Sequence, residues 1–122
     1  MRDHVEARFR AIVDSLAPVF GAKIGLRYRR NYPVTRNHPA QTTFAARAAG
    51  DIVGTAAVDS DAPPVMGGED FSYMLEARPG AFIFIGNGDS AGLHNPAYDF
   101  NDEVIPIGCS YWARIVETAM PA

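Results

Sequence analysis

Residues 81–85 of this 122-residue chain, Ala-Phe-Ile-Phe-Ile, are apolar at every position. They follow a Pro79-Gly80 turn and read as a strand covered on both faces, the situation found inside an α/β sheet. Such a strand needs hydrogen-bonding neighbours on both edges, and that requirement is hard for this chain to meet. Its one further candidate for the same sheet is residues 52–58, a weak strand broken by Gly54. Residues 22–29 also read as a strand, because Ala22, Ile24, Leu26 and Tyr28 alternate with Lys23, Gly25, Arg27 and Arg29. That period of two gives one packed face and one basic face in water. With the helix before it, this strand makes an αβ unit that cannot close a core alone.

Four helices are predicted around these strands. Val5, Phe9, Ile12, Val13, Leu16 and Phe20 recur at a 3.6-residue period and form one buried stripe. Asp3 followed by Glu6 resembles a capping box, Pro18 loosens the last turn, and Gly21 is the stop. A second helix opens at Pro39 and runs through Phe44 to about Ala49, where Gly50-Asp51 ends it. A short third helix over residues 70–77 buries Phe71, Met74 and Leu75. The last starts near Asn101 or Asp102 and buries Val104, Ile107, Tyr111, Trp112, Ile115 and Val116. The expected fold class is therefore α/β, in the order α-β-α-β-α-β-α.

Composition narrows the class. At 48% apolar and 20% charged residues the chain is neither disordered nor a coiled coil. No apolar run approaches the ~18 residues of a membrane helix. The charged start, Met1-Arg2-Asp3-His4, leads into no apolar region of the kind a signal peptide has. A single cysteine, Cys109, excludes an internal disulfide framework and fits a reducing cytoplasm. Length alone points to one domain. Charge is less even: residues 1–61 hold nine Lys/Arg against six Asp/Glu, whereas residues 62–122 hold two against eight. The net charge of −3 thus hides two unlike halves.

Chemistry is best sought in the long loop of residues 86–101, since ligands of α/β sheets gather beyond the carboxyl ends of strands. There His94 is followed by Tyr98, Asp99, Asn101, Asp102 and Glu103. It is either a metal ligand or general acid/base, or a solvated loop histidine held by carboxylates. Met66, Gly67, Gly68, Glu69 and Asp70 lead into the third helix, either as amides that attract a substrate carboxylate or as plain caps. Arg27, Arg29 and Arg30 with Tyr28 and Tyr32 could form a nucleic-acid patch, but their alternation reads as a solvated strand face. Cys109 reads as a small packed residue, because no histidine accompanies it in sequence.

Three stretches then match a known family. MGGEDFSYML at 66–75, PGAFIFIGNG at 79–88 and LHNPAYDFND at 93–102, followed by Pro106-Ile107-Gly108, resemble the C-terminal end of the M20 metallopeptidases. The nearest branch is the amidohydrolases, which include hippurate, N-acyl-amino-acid and auxin-conjugate hydrolases. Residues 3–32 resemble the last helix and strand of that family's lid domain, so the likeness covers essentially the whole chain. It implies a catalytic domain holding two divalent metals (Zn, Mn or Ni) and an inserted lid that mediates dimerisation. It implies that His94 is a metal ligand and that Met66, Gly67, Gly68 and Glu69 line the substrate cleft. The implied reaction is attack of a metal-bridging water, deprotonated by a glutamate, on the amide carbonyl of an N-acyl amino acid.

The family's other ligands and its catalytic glutamate have no counterpart here. The resemblance therefore implies two partial domains: residues 1–32 from the lid and 33–122 from the catalytic domain, a division that also accounts for the uneven charge. A fragment of this kind is expected to be cytoplasmic, to form homo-oligomers through bare sheet edges, to bind neither nucleic acid nor membrane, to hold metal weakly and to be inactive alone. The other reading is a non-catalytic interaction module that assembles with itself.

Overall fold

The computed structural model describes residues 1–121. It contains α1 (Arg2–Val19), α2 (Pro39–Val53), a 3-10 turn (Thr55–Ala57), α3 (Phe71–Ala77) and α4 (Val104–Ala119). The expected α/β order is not observed: among the described residues there is no strand and no sheet. The reason is physical. A strand exists only when another strand satisfies its N–H and C=O groups, and the partners that residues 22–29 and 81–85 call for are not present.

The chain divides into two compact units, Met1–Asn31 and Tyr32–Ala122. In the first, α1 begins at Met1 with no side-chain cap. Asp3 and Glu6 do not form the expected capping box; both bind Arg30, at 2.6 and 2.7 Å. The helix ends as its glycine predicts. Gly21 adopts φ +58°, its N–H reaches Pro18 O, and the Ala22 N–H reaches Ala17 O, which is the paired closure of a Schellman motif. The residues after Gly21 run extended and meet α1 where Phe9 and Tyr28 lie 6.3 Å apart. The stripe of α1 is not buried: Phe9 is 52% exposed, and Val5, Ile12, Leu16 and Phe20 are exposed as well.

In the second unit, α2 passes the expected stop at Gly50 and continues to Val53, absorbing the first residues of the weak strand predicted at 52–58. Its end is set by Gly54, whose φ of +83° favours glycine. Buried Ala45 and Ala48 lie on α2 and buried Tyr111 on α4, and these two helices pack together. Residues 80–85 run extended beside α3 and α4. Phe82 meets Phe71 at 5.6 Å, and a Cβ on Gly108 would lie 3.6 Å from Ile85 Cδ1. The expected burial on both faces fails at Phe84, which is 71% exposed, and at Ile85. On α4, Trp112 and Val116 are exposed, and so is Cys109, which was expected to be packed. No helix among the described residues is long and apolar enough to cross a membrane.

Candidate functional site

Asparagine side chains anchor residues 81–85, where a strand was expected, and the start of the loop that follows. An asparagine amide carries a donor and an acceptor side by side and can replace one residue of a strand. The Asn37 Nδ2 group donates to Phe82 O at 2.8 Å, and the Phe82 N–H donates back to Asn37 Oδ1 at 2.7 Å. Beside it, the His38 N–H donates to Gly80 O, while His38 Nδ1 accepts from the Gly80 N–H at 3.2 Å.

Asn87 repeats the device at the other end of the segment. Its Nδ2 group donates to Asp99 O at 2.7 Å, and its Oδ1 accepts from the Asn101 N–H at 2.8 Å. Ser90 adds to this closure: its Oγ donates to Asp99 O and accepts from the Asp99 N–H. Asn101 then forms the turn that leads into α4, with its Oδ1 accepting from the Glu103 N–H and its carbonyl from the Val104 N–H. The loop between Asn87 and Asn101 is therefore tied at its base.

His94 lies in that loop, exposed to solvent, with φ +64°. It is the one non-glycine residue with positive φ among those described. Histidine visits this left-handed region more often than most residues, at a cost on the order of 1–2 kcal/mol. The neighbouring turns hold it there: the Asn95 N–H donates to Gly92 O, the Tyr98 N–H to Asn95 O, and the Ala97 N–H to Asn95 Oδ1.

Met66, Gly67 and Gly68 are exposed and lead into α3. Gly68 lies close to the Tyr32 ring, from which a Cβ there would stand 3.1 Å. That ring stands edge-on to Tyr73 at 6.1 Å. Glu69 is engaged locally: its Oε1 accepts from the Phe71 N–H at 3.2 Å, and its carbonyl accepts from the buried Ser72 hydroxyl. Among the described residues, no hydrogen bond or ion pair joins residues 66–69 to the His94 loop.

A family model matches residues 3–118. The chain belongs to peptidase family M20/M25/M40. Over 110 residues it is 33% identical to a putative amidohydrolase, YhaA, of Bacillus subtilis, covering 86% of this chain and 28% of that protein. It is 32% identical over 83 residues to a hippurate hydrolase of Campylobacter jejuni (68% of this chain, 22% of that protein). It is 31% identical over 112 residues to an N-acetyl-L-cysteine deacetylase of Bacillus subtilis (92% and 26%). The chain thus spans about a quarter of the length of these relatives. No solved structure matches it significantly.

M20 proteins generally use divalent metals. A dinuclear centre needs several converging donors, and among the described residues no group of three or more His, Cys, Asp or Glu side chains comes together. His94 and its surroundings do not by themselves fit a two-metal centre. The amide ties at Asn37, Asn87 and Asn101 escaped the sequence reading. The signal for them is an apolar segment short of strand partners, flanked by asparagines.

Proposed function

We propose that this chain supplies the carboxyl-terminal part of a metal-dependent amidohydrolase that cleaves the amide bond of N-acyl amino acids such as hippurate. The observation that carries this reading is His94, held in a left-handed conformation in a tied, exposed loop within the LHNPAYDFND stretch. An imidazole presented on a preset backbone loses little freedom when it engages a ligand. The M20 membership and the relatives' activities support the same conclusion.

In this reading His94 is one donor to a centre of two divalent ions (Zn, Mn or Ni) whose remaining ligands come from outside these residues. Met66, Gly67, Gly68 and Glu69 border the substrate. Residues 1–32 belong to a lid and 33–122 to the catalytic domain. The protein works in the cytoplasm as a homo-oligomer, with no nucleic-acid or membrane partner.

The test is an assay of the protein purified at its native mass, with hippurate and N-acetylcysteine in the presence of Mn²⁺ or Zn²⁺. Hydrolysis that chelator abolishes, and that His94→Ala lowers by ~100-fold or more, is the expected result. The isolated 122-residue chain is expected to be inactive under the same conditions. Turnover that survives both chelation and His94→Ala would refute the reading.

A further inference from the structure

We infer that Asn87 is a positioning residue for His94, latching the loop that presents the imidazole; this rests on the functional reading of His94 given above. The geometry is specific to an amide. Asn87 Nδ2 gives a proton to Asp99 O at 2.7 Å while Oδ1 of the same side chain takes one from Asn101 at 2.8 Å. A carboxylate cannot make the first bond and an alanine can make neither. No strand ladder closes the loop among the described residues, so the Asn87 amide and the Ser90 hydroxyl carry that closure.

The latch acts on both sides of the loop. Asn87 ends the apolar segment that Asn37 pins at Phe82. Asn101, on the return side, is fixed to the turn before α4 through the Glu103 N–H. Releasing Asn87 therefore loosens the base of residues 88–100, leaving only the Ser90–Asp99 pair to close it, while α4 stays in place. Between these anchors the local turns around Asn95 hold His94 at its positive φ. A looser base lets that turn unit shift as a whole and re-aim the imidazole it carries.

The experiment compares wild type, Asn87→Ala, Asn87→Asp and His94→Ala in the protein at its native mass. Hydrogen exchange of the peptide covering residues 97–103 reads the latch directly. Asn87→Ala is expected to speed exchange there about tenfold, whereas Asn87→Asp, which keeps the acceptor for Asn101, changes it less. Hydrolysis reads the consequence. Asn87→Ala is expected to lower kcat ~10- to 100-fold while KM stays within about twofold, and a general loss of folded protein does not produce that split. Full kcat in Asn87→Ala alongside an inactive His94→Ala would overturn the latch and leave the functional reading standing. Full activity in His94→Ala would overturn the functional reading, and this inference with it.

Discussion

The Glu6 carboxylate lies between two guanidinium groups. It accepts from Arg10 at 2.8 Å and from Arg30 at 2.8 Å, and Arg30 reaches Asp3 as well. The hydrogen bonds from Arg10 and then Arg30 hold the Glu6 carboxyl below the usual glutamate range. Because its pKa is depressed in the folded state, the stability it contributes is present above the ordinary glutamate pKa of about 4.3 and fades as pH falls through the folded value. Arg30 makes the ion pairs between the extended segment and α1, so acid should loosen that segment first. The proton–proton contact between the Phe9 and Tyr28 rings, followed by NMR, should weaken below the glutamate range in wild type. In Glu6→Gln, whose amide imitates the protonated acid, it should be weak already at neutral pH and change little in acid. A contact equally strong in both proteins across the range would remove Glu6 from this role.

Helix packing in the second unit depends on small side chains. Ala48 is 2% exposed, and it shares the buried face of α2 with Ala45 one turn away. Two alanines let α4 approach closely enough for Asp51 to meet Arg114 at 3.8 Å. Ala48→Leu should cost about 1–3 kcal/mol through overpacking, seen as a lower denaturant midpoint at unchanged slope. A midpoint equal to wild type would mean the site has room. Periodicity made the helices legible: the heptad-like spacing and Gly21 place α1, and Pro39 starts α2. It misplaced the end of α2, because Gly50 is tolerated inside a helix and the positive φ that stops it belongs to Gly54. It also misread the strands. Of the expected packed face only Leu26 and Tyr28 are half-buried, while Ala22 and Ile24 are exposed like Lys23, Arg27 and Arg29, so the alternation reports the face only in the second half of residues 22–29. Whether such a segment becomes a strand depends on a partner, which no local pattern can supply. The sequence motif singles out His94, but not its backbone conformation, which rests on the turns beside it, nor the amide ties at the base of its loop, which involve residues 7 positions away on either side.

Exposed apolar side chains give the unmet need for partners a scale. Phe9, Ile12, Leu16 and Val19 line one face of α1 with Phe20 just beyond it, and Trp112 and Val116 lie open on α4 with Met120 just beyond it. At about 25 cal/mol per Å², covering even a few hundred square ångströms of such surface is worth several kcal/mol, more than most surface ion pairs provide. For the isolated chain in solution, a second copy is the surface available in quantity to cover these faces. Light scattering of the isolated chain should therefore show a mass that rises with concentration. Ile12→Glu with Leu16→Glu should shift that rise to higher concentration without lowering helix content, since both side chains are already exposed and their loss empties no core. A constant monomer mass over the whole concentration range, with no binding of an apolar dye, would mean that these faces close on the chain itself in solution.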